Sequence, residues 1–227
     1  MKIEDIPLFY GSDKSFYEKA SKHFILKKSS SKSIIFNEYE FLNSGSYILK
    51  SGVVSVSKVN KFGNETSVNA VYPGGLFGWS TLIDEGPTSA KVTAVSDCEY
   101  WLVPHSFIND IWENKYFTKN LFKYLMNYIR TLESFTSDTQ TANANAKVLT
   151  QLLRISVPNS YNQTATLHHS FNQGIISTFA GVSRETVSRV IKELKLKQIL
   201  KTDDSKNMII NSPLANKFLN EVNVKNG

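Results

Sequence analysis

The sequence predicts an α+β protein: an N-terminal domain of closely spaced strands (a barrel, sandwich or jelly-roll), then one long helix, then a C-terminal winged helix-turn-helix. Three observations carry this. Short runs rich in β-branched and aromatic residues, closely spaced and without intervening helices, fill the region from about Ser29 to Val103. From Pro104 the apolar spacing lengthens to helical periods, and further on two short helical segments meet at Gly181 ahead of a strand-turn-strand pattern. The third is charge. Residues 1–144 hold 15 Lys+Arg against 15 Asp+Glu, whereas residues 145–227 hold 11 against 5, so the whole net charge of +6 sits in the last third. The expected pieces are 1–114 (roll), 115–144 (long helix) and 145–227 (winged helix-turn-helix).

The elements follow in order. A short helix is expected over Lys14–Ser21. Ser33–Asn37 and Tyr47–Val59 read as strands. Asn60–Asn64 supplies a hairpin turn before Thr66–Tyr72, and Pro73-Gly74-Gly75 interrupts the chain. Lys91–Val95 and Glu99–Val103 complete the roll. Pro104 suits the first turn of a helix reaching about Trp112.

A longer helix begins near Lys115. Its apolar and small residues fall at Leu121, Leu125, Tyr128, Leu132, Phe135, Thr139, Ala142, Ala146 and Leu149, an advance of 3.5 residues per step. That period describes a coiled-coil seam, with Leu121, Leu125, Tyr128, Leu132 and Phe135 against a symmetry mate. A core helix packed on its own domain is the alternative. Thr and Asn residues between Ser137 and Asn145 are weak helix formers, so the helix should break near Asn143–Asn145.

Beyond the break, Ala146–Ile155 is an amphipathic helix stopped by Pro158, and Thr164–Ser170 reads as a strand. Asn172–Ala180 and Ser183–Leu194 are helices separated by Gly181, which can take the positive φ of a tight turn, and Ser183 can cap the second. Val187, Val190, Ile191 and Leu194 form its buried face. Arg184, Glu185, Ser188 and Arg189 are left outside, with two of them in the first turn, where a recognition helix presents base-reading groups. Arginine can bond guanine through two hydrogen bonds, and glutamate can accept from a base amino group. Asn172, Gln173 and Ser183 are the expected phosphate contacts. Lys201–Ile210 reads as a wing. Segregated positive charge is what binding to double-stranded DNA needs, because counterion release supplies most non-specific affinity.

Gly181-Val-Ser-Arg-Glu-Thr-Val-Ser-Arg-Val190 closely resembles the recognition-helix motif of the Crp/Fnr family of bacterial transcription regulators, and the order of roll, long helix and winged helix-turn-helix resembles that family over essentially the whole chain. Ser51-Gly-Val-Val-Ser-Val56 is similar to its glycine-led strand. Gly75-Leu-Phe-Gly-Trp79 with Thr88-Ser-Ala90 resembles the phosphate-binding cassette of its cyclic-nucleotide-binding-like roll. The resemblance implies a homodimer on a pseudo-palindromic operator, with RNA polymerase as a further partner. In the family, Arg184, Glu185 and Arg189 match readers of TGTGA-like half-sites, while Glu185, Ser188 and Arg189 also match readers of TTGAT-like ones; Arg184 favours the first.

The departures bear on the effector. Cyclic-nucleotide members place a ribose-binding glutamate and a phosphate-pairing arginine where this chain has Trp79 and Thr88, so a cyclic nucleotide would lack a counterion and a ribose acceptor. The chain therefore resembles members with other small effectors, such as the halorespiration regulators. Trp79, Thr88, Ser89, Tyr128 and Leu132 would line a more apolar pocket. A cyclic-nucleotide-responsive regulator, or a constitutive one whose pocket is merely a filled core, are the alternatives. No cofactor and no metal site are expected. Cys98 is the only cysteine, too few for an iron–sulfur cluster or a thiolate zinc site, and reads as a buried small residue.

An enzyme is not expected. A metal-dependent oxygenase built on a roll needs clustered histidine and carboxylate ligands, and His23, His105, His168 and His169 all lie outside the strands between Ile34 and Val103. Gly74–Gly78 is not followed by the Lys-Ser/Thr of a P-loop. A DNA-binding protein without sensing would not need so large a roll. No run of apolar residues is long enough to span a membrane, and the early acids Glu4 and Asp5 are unlike a secretory signal, so a cytoplasmic protein with no membrane partner is expected.

Overall fold

A computed structural model describes residues 1–79, 86–139 and 143–224, with the side chains of 131–139, 223 and 224 outside the description. Two compact units divide the chain at Tyr128 and Ile129.

The first unit opens with two 3₁₀ turns, Ile3–Asp5 and Pro7–Phe9, and helix α1 (Lys14–His23), capped by Asp13, whose carboxylate accepts from the Phe16 N–H at 2.8 Å. Eight strands follow: β1 (Ile25–Ser29), β2 (Ile34–Phe36), β3 (Gly45–Ser51), β4 (Val54–Val59), β5 (Glu65–Val71), β6 (Leu76–Phe77), β7 (Lys91–Ala94) and β8 (Cys98–Pro104). They form two four-stranded sheets of antiparallel pairs, ordered β1-β8-β3-β6 and β2-β7-β4-β5. The expected roll is therefore present.

Successive residues of a strand point to opposite faces, and in β3 and β8 both faces are buried. Leu49, Cys98 and Tyr100 face a core shared with Phe36, Val54, Val71, Phe77 and Val92. Ile48, Trp101 and Val103 face a second core, built with Ile6, Phe9 and the helices that follow the roll. Burial on both faces explains the near-continuous apolar runs of these strands. Cys98 is buried as expected, and burial pushes its thiol up.

The sequence suggests one strand from Tyr47 to Val59, but the chain changes sheets within it. The switch is made at Gly52, whose φ is +86° and whose added Cβ would lie 2.3 Å from the Asp97 carbonyl oxygen. Among the described residues strand β1 is an edge strand paired only with β8 and largely exposed, so it lacks an alternating pattern. Pro104 ends β8 rather than starting a helix; a 3₁₀ turn at His105–Phe107 leads into α2 (Ile108–Glu113).

Thr88 belongs to the architecture of this unit. Its hydroxyl donates to the Asn37 carbonyl at 2.6 Å and accepts from the Glu40 N–H at 3.0 Å. Its backbone N–H donates to the Glu40 carbonyl, and its carbonyl accepts from the Tyr39 N–H, both at 2.8 Å. The side chain is buried. It fastens the 37–40 loop to the roll.

Helix α3 (Lys115–Thr139) begins where the Asn114 carboxamide oxygen accepts from the N–H groups of Tyr116 and Phe117, at 3.0 and 3.3 Å. Leu121 is 4% exposed and sits with Phe117 in the second core of the first unit, and Leu125 packs beside it. Leu121 thus packs within the chain itself, and Leu125 is half-buried there. Leu132, Phe135, Thr139 and Ala142 lie outside the described side chains. The exposed apolar row on this helix is Phe122 (64%), Met126 (46%) and Ile129 (43%).

The second unit contains α4 (Ala144–Arg154), capped by Asn143, whose side-chain oxygen accepts from the Ala146 N–H at 3.0 Å. Asn143 thus marks the start of a new helix, and Ala146 and Leu149 are fully buried in this unit instead of continuing the seam. Then come β9 (Val157–Asn159), β10 (Thr164–Leu167), α5 (Gln173–Ala180), α6 (Arg184–Leu196), β11 (Leu200–Thr202), β12 (Met208–Asn211) and α7 (Ser212–Val224). The sheet order is β11-β12-β10-β9. Pro158 is accommodated because β9 is an edge strand. Neither β9 nor α7 was expected from the sequence. Among the described residues no helix is long and apolar enough to cross a membrane.

Gly52→Ala should cost at least about 2 kcal/mol, since a left-handed residue and a backbone clash coincide there; denaturant unfolding of the purified protein checks this. Thr88→Val keeps the shape but leaves the Asn37 carbonyl and the Glu40 N–H without their side-chain partner. It should cost about 1–3 kcal/mol and speed hydrogen exchange at the Glu40 amide.

Candidate functional site

In the second unit, the residues expected to read DNA share one face. Gly181 ends α5 in the left-handed conformation (φ 62°, ψ 33°), with its N–H donating to the Ser177 carbonyl at 3.0 Å. A Cβ there would meet nothing within 4 Å, so the torsion and not crowding favours glycine. Two residues on, the Ser183 hydroxyl accepts from the Thr186 N–H at 3.1 Å and opens α6.

Val187, Val190, Ile191 and Leu194 are all buried. With 3.6 residues per turn, burying this stripe turns Arg184, Glu185, Ser188, Arg189 and Lys192 outward. These five side chains and Gln173 line a single open groove. The Glu185 carboxyl is held below its usual range by its own backbone N–H, then by the Ser183 hydroxyl and the Arg184 charge. It is therefore ionised and a pure acceptor at neutral pH. Arg184, Arg189 and Lys192 supply donors, so the groove offers both halves of base-edge recognition. Lys192 was missed in the sequence, although it lies one helical turn beyond Ser188 and Arg189 on the same face.

Of the three expected phosphate contacts, only Gln173 lines the groove. The Asn172 side-chain oxygen accepts from the Ile175 N–H at 3.0 Å, and the Ser183 hydroxyl is engaged by the Thr186 N–H and the Glu185 carboxylate. Both act first as helix caps. The wing is β11–β12, its turn braced by Asp203, whose carboxylate accepts from the Asn207 backbone at 2.8 Å and side chain at 3.1 Å. The Asn207 oxygen in turn accepts from the His169 N–H at 3.0 Å, which ties the wing to the segment before α5.

The first unit contains a cavity of about 200 Å³. Its walls come from β4, β5, β6 and β7 and from α3, through residues such as Val56, Asn69, Leu76, Val92, Tyr124 and Tyr128. Trp79 stands at its mouth, 40% exposed, and Ser89 is also exposed there. Burial pushes the Tyr124 phenol up, so it stays protonated. Among the described residues that line it there is no Asp, Glu, Lys, Arg or His.

Four of the five sequence-derived pocket residues, Trp79, Thr88, Ser89 and Tyr128, do come together around this cavity, and Leu132 lies outside the described side chains. Thr88 takes no part in polar contacts to the cavity. Its hydroxyl is committed to Asn37 and Glu40, so it supplies wall rather than a polar contact. Asn69 and Tyr124 were not singled out from the sequence, because a lone Asn in a strand and one more tyrosine in a helix carry no local signature.

Comparison with known proteins gives both units a family. Residues 26–115 match the cyclic nucleotide-binding domain, and residues 146–215 match the Crp-like helix-turn-helix domain. A curated relative, the cyclic AMP receptor protein of Thermus thermophilus, is 29% identical over 192 residues, covering 83% of this chain and 85% of that one. The solved structure of FixK2 from Bradyrhizobium japonicum is 19% identical, with a TM-score of 0.69 over 88% of this chain and 96% of the other. A CooA structure from Carboxydothermus hydrogenoformans is 20% identical, with a TM-score of 0.67 over 87% and 88%. With a roll, a winged helix-turn-helix and both domain matches in the same order, the chain belongs to the Crp/Fnr family of DNA-binding transcription regulators.

Proposed function

We propose that the chain is a homodimeric, sequence-specific regulator that reads a pseudo-palindromic operator and answers a small effector other than cyclic AMP. The observation that carries this is the groove on α6, where Arg184, Glu185, Ser188 and Arg189 stand together over a fully buried apolar face. Arg184 and Arg189 are assigned to guanine edges and Glu185 to a base amino group, with Ser188 beside them. Gln173 and Lys192 are assigned to phosphates, with Asn172 and Ser183 holding the helix ends that approach the backbone. Two such helices related by a dimer axis would enter successive major grooves about 34 Å apart. RNA polymerase is the further protein partner of this reading, the cytoplasm its place of work, and 1–114, 115–144 and 145–227 its three functional pieces. It assigns no catalytic residue.

Dimerisation is assigned to α3. Phe122, Met126 and Ile129 follow one another by four and three residues, the spacing of a coiled-coil seam, and all three are exposed in the single chain. A row of this kind on both copies makes an isologous contact.

The effector half rests on the cavity. The Thermus relative is named for cyclic AMP, but among the described lining residues of this cavity there is no cation to pair with a cyclic phosphate. Thr88 stands where the cyclic-nucleotide members of the family place an arginine, and its hydroxyl is already engaged.

Arg189→Ala should cost about 1–3 kcal/mol per half-site and relax selectivity at one base pair. Selection from random DNA, wild type and variant side by side, checks this; an unchanged preference would return Arg189 to the solvated surface. Phe122→Glu with Met126→Glu should leave the roll folded, because neither residue belongs to its cores, while abolishing the dimer and most operator affinity. Sedimentation that still finds a dimer at micromolar concentration would rule out this seam.

A further inference from the structure

Resting on the reading of Arg189 as a base-reading group, we propose that Asn145 is a positioning residue for it. By holding the Glu193 carboxylate, Asn145 keeps that acid from pairing with Arg189 and leaves the guanidinium open to DNA. Helical spacing sets the problem. Residues four apart are neighbours on a helix surface, and an acid and a base so placed pair across the turn. On α6, Arg189 has an acid four residues away in both directions, Glu185 before it and Glu193 after it. Either carboxylate would compete with a base edge for the same N–H donors.

Arg189 nevertheless stands open. It lines the groove, and among the described residues it has no hydrogen bond or ion pair. Both acids are engaged elsewhere. Glu185 is bonded at the start of the helix by its own backbone N–H and by the Ser183 hydroxyl. Glu193 is half-buried on the flank of α6, between the buried row and the outward face. Its Oε2 accepts from the Asn145 Nδ2 at 2.8 Å, and its Oε1 lies 3.1 Å from the Lys197 Nζ.

Lys197 alone would leave the competition open. Arg189, Glu193 and Lys197 are spaced by four, so the acid can bridge both bases with one oxygen to each. Lys197, whose ammonium sits 4.5 Å from the Phe218 ring of α7, takes the first oxygen. Asn145 takes the second, and it reaches it from a different helix. It stands in the first turn of α4, just after the Asn143 cap and beside the buried Ala146, so its place does not depend on α6. A carboxamide suits this task because it donates to the carboxylate without bringing a charge of its own.

The test uses the full-length protein. It compares affinity for the operator with affinity for operators altered at the base pair that selection with Arg189→Ala shows to depend on Arg189. An exposed pair of this spacing is weak, so Asn145→Ala should lower that ratio about two- to fivefold on an operator with two half-sites. Alanine favours the helix it enters, and a melting curve checks that the variant is folded. Glu193→Ala should leave the ratio unchanged, and Asn145→Ala with Glu193→Ala should restore it, since the freed acid is then gone. The ratio compares DNA molecules of equal charge, so the altered net charge of the protein cancels. A bond that served only to fix α6 would make Glu193→Ala lose selectivity as Asn145→Ala does, with the double variant still impaired; that result overturns the proposal. An Asn145→Ala protein as selective as wild type overturns it too, and leaves the reading of Arg189 standing. Selection that finds no base pair dependent on Arg189 overturns that reading, and this inference with it.

Discussion

Ile48 and Leu49 are neighbours in β3, yet they enter two different cores, and Tyr100 and Trp101 repeat the pattern in β8. This two-sided burial at the centre of one sheet is the constraint on which the rest of the first unit depends. One face must be covered by the other sheet, which encloses the aromatic rings around the cavity. The other must be covered by helices, which draws the N-terminal turns and the first half of α3 onto the sheet. A polar residue at any of these four positions would expose one core or the other. Pocket and helix are therefore consequences of the same alternation, and Leu76 takes part in both: it belongs to the helix-side core and also lines the cavity.

Electrostatics divides the chain in a complementary way. The first 144 residues carry no net charge, and none of the described side chains lining their cavity is charged. The remaining residues hold the whole surplus of positive charge, and the groove on α6 gathers Arg184, Arg189 and Lys192 around a single ionised carboxylate. A basic surface supplies salt-dependent, sequence-independent affinity, whereas Glu185 has the opposite effect on a phosphate backbone. Its presence in the first turn makes sense for base-edge recognition, where an acceptor discriminates, and no sense for charge attraction alone.

How much of this was legible in the sequence depended on how local the cause was. The turn at Gly181, the cap at Ser183 and the buried row from Val187 to Leu194 are set by backbone torsion, one hydrogen bond and a helical period, and all three could be read directly. Strand β1 could not, because it is an exposed edge and carries no alternation. The long helix was ambiguous for a different reason. Leu121, Leu125 and Tyr128 and the exposed row Phe122, Met126 and Ile129 have the same four-three spacing, displaced by one residue, so periodicity alone cannot say which faces the roll. Ala146 and Leu149 happened to continue the phase across a break, although they belong to a separately capped helix. The clasp made by Thr88 is a tertiary fact with no sequence signature at all: its partners lie some fifty residues away.

The displacement of the two rows also bounds what an effector could do. Adjacent positions on a helix differ by about 100° in direction, so the row that meets the cavity and the row that is exposed share one rigid element without sharing a face. A guest touching Tyr124 and Tyr128 can influence the exposed row only by favouring one position of that helix over another, and only by as much as its affinity differs between the two. For a ligand with few heavy atoms, total binding free energy is itself limited, at most about 1.5 kcal/mol per atom. The differential share is smaller, and coupling of about 1–3 kcal/mol corresponds to a 5- to 150-fold change in operator affinity. Coupling in that range makes a graded switch; turning a 1:99 equilibrium into 99:1 takes about 5.5 kcal/mol of differential affinity, a far larger share of the binding free energy, unless dimerisation makes both sites act on one equilibrium.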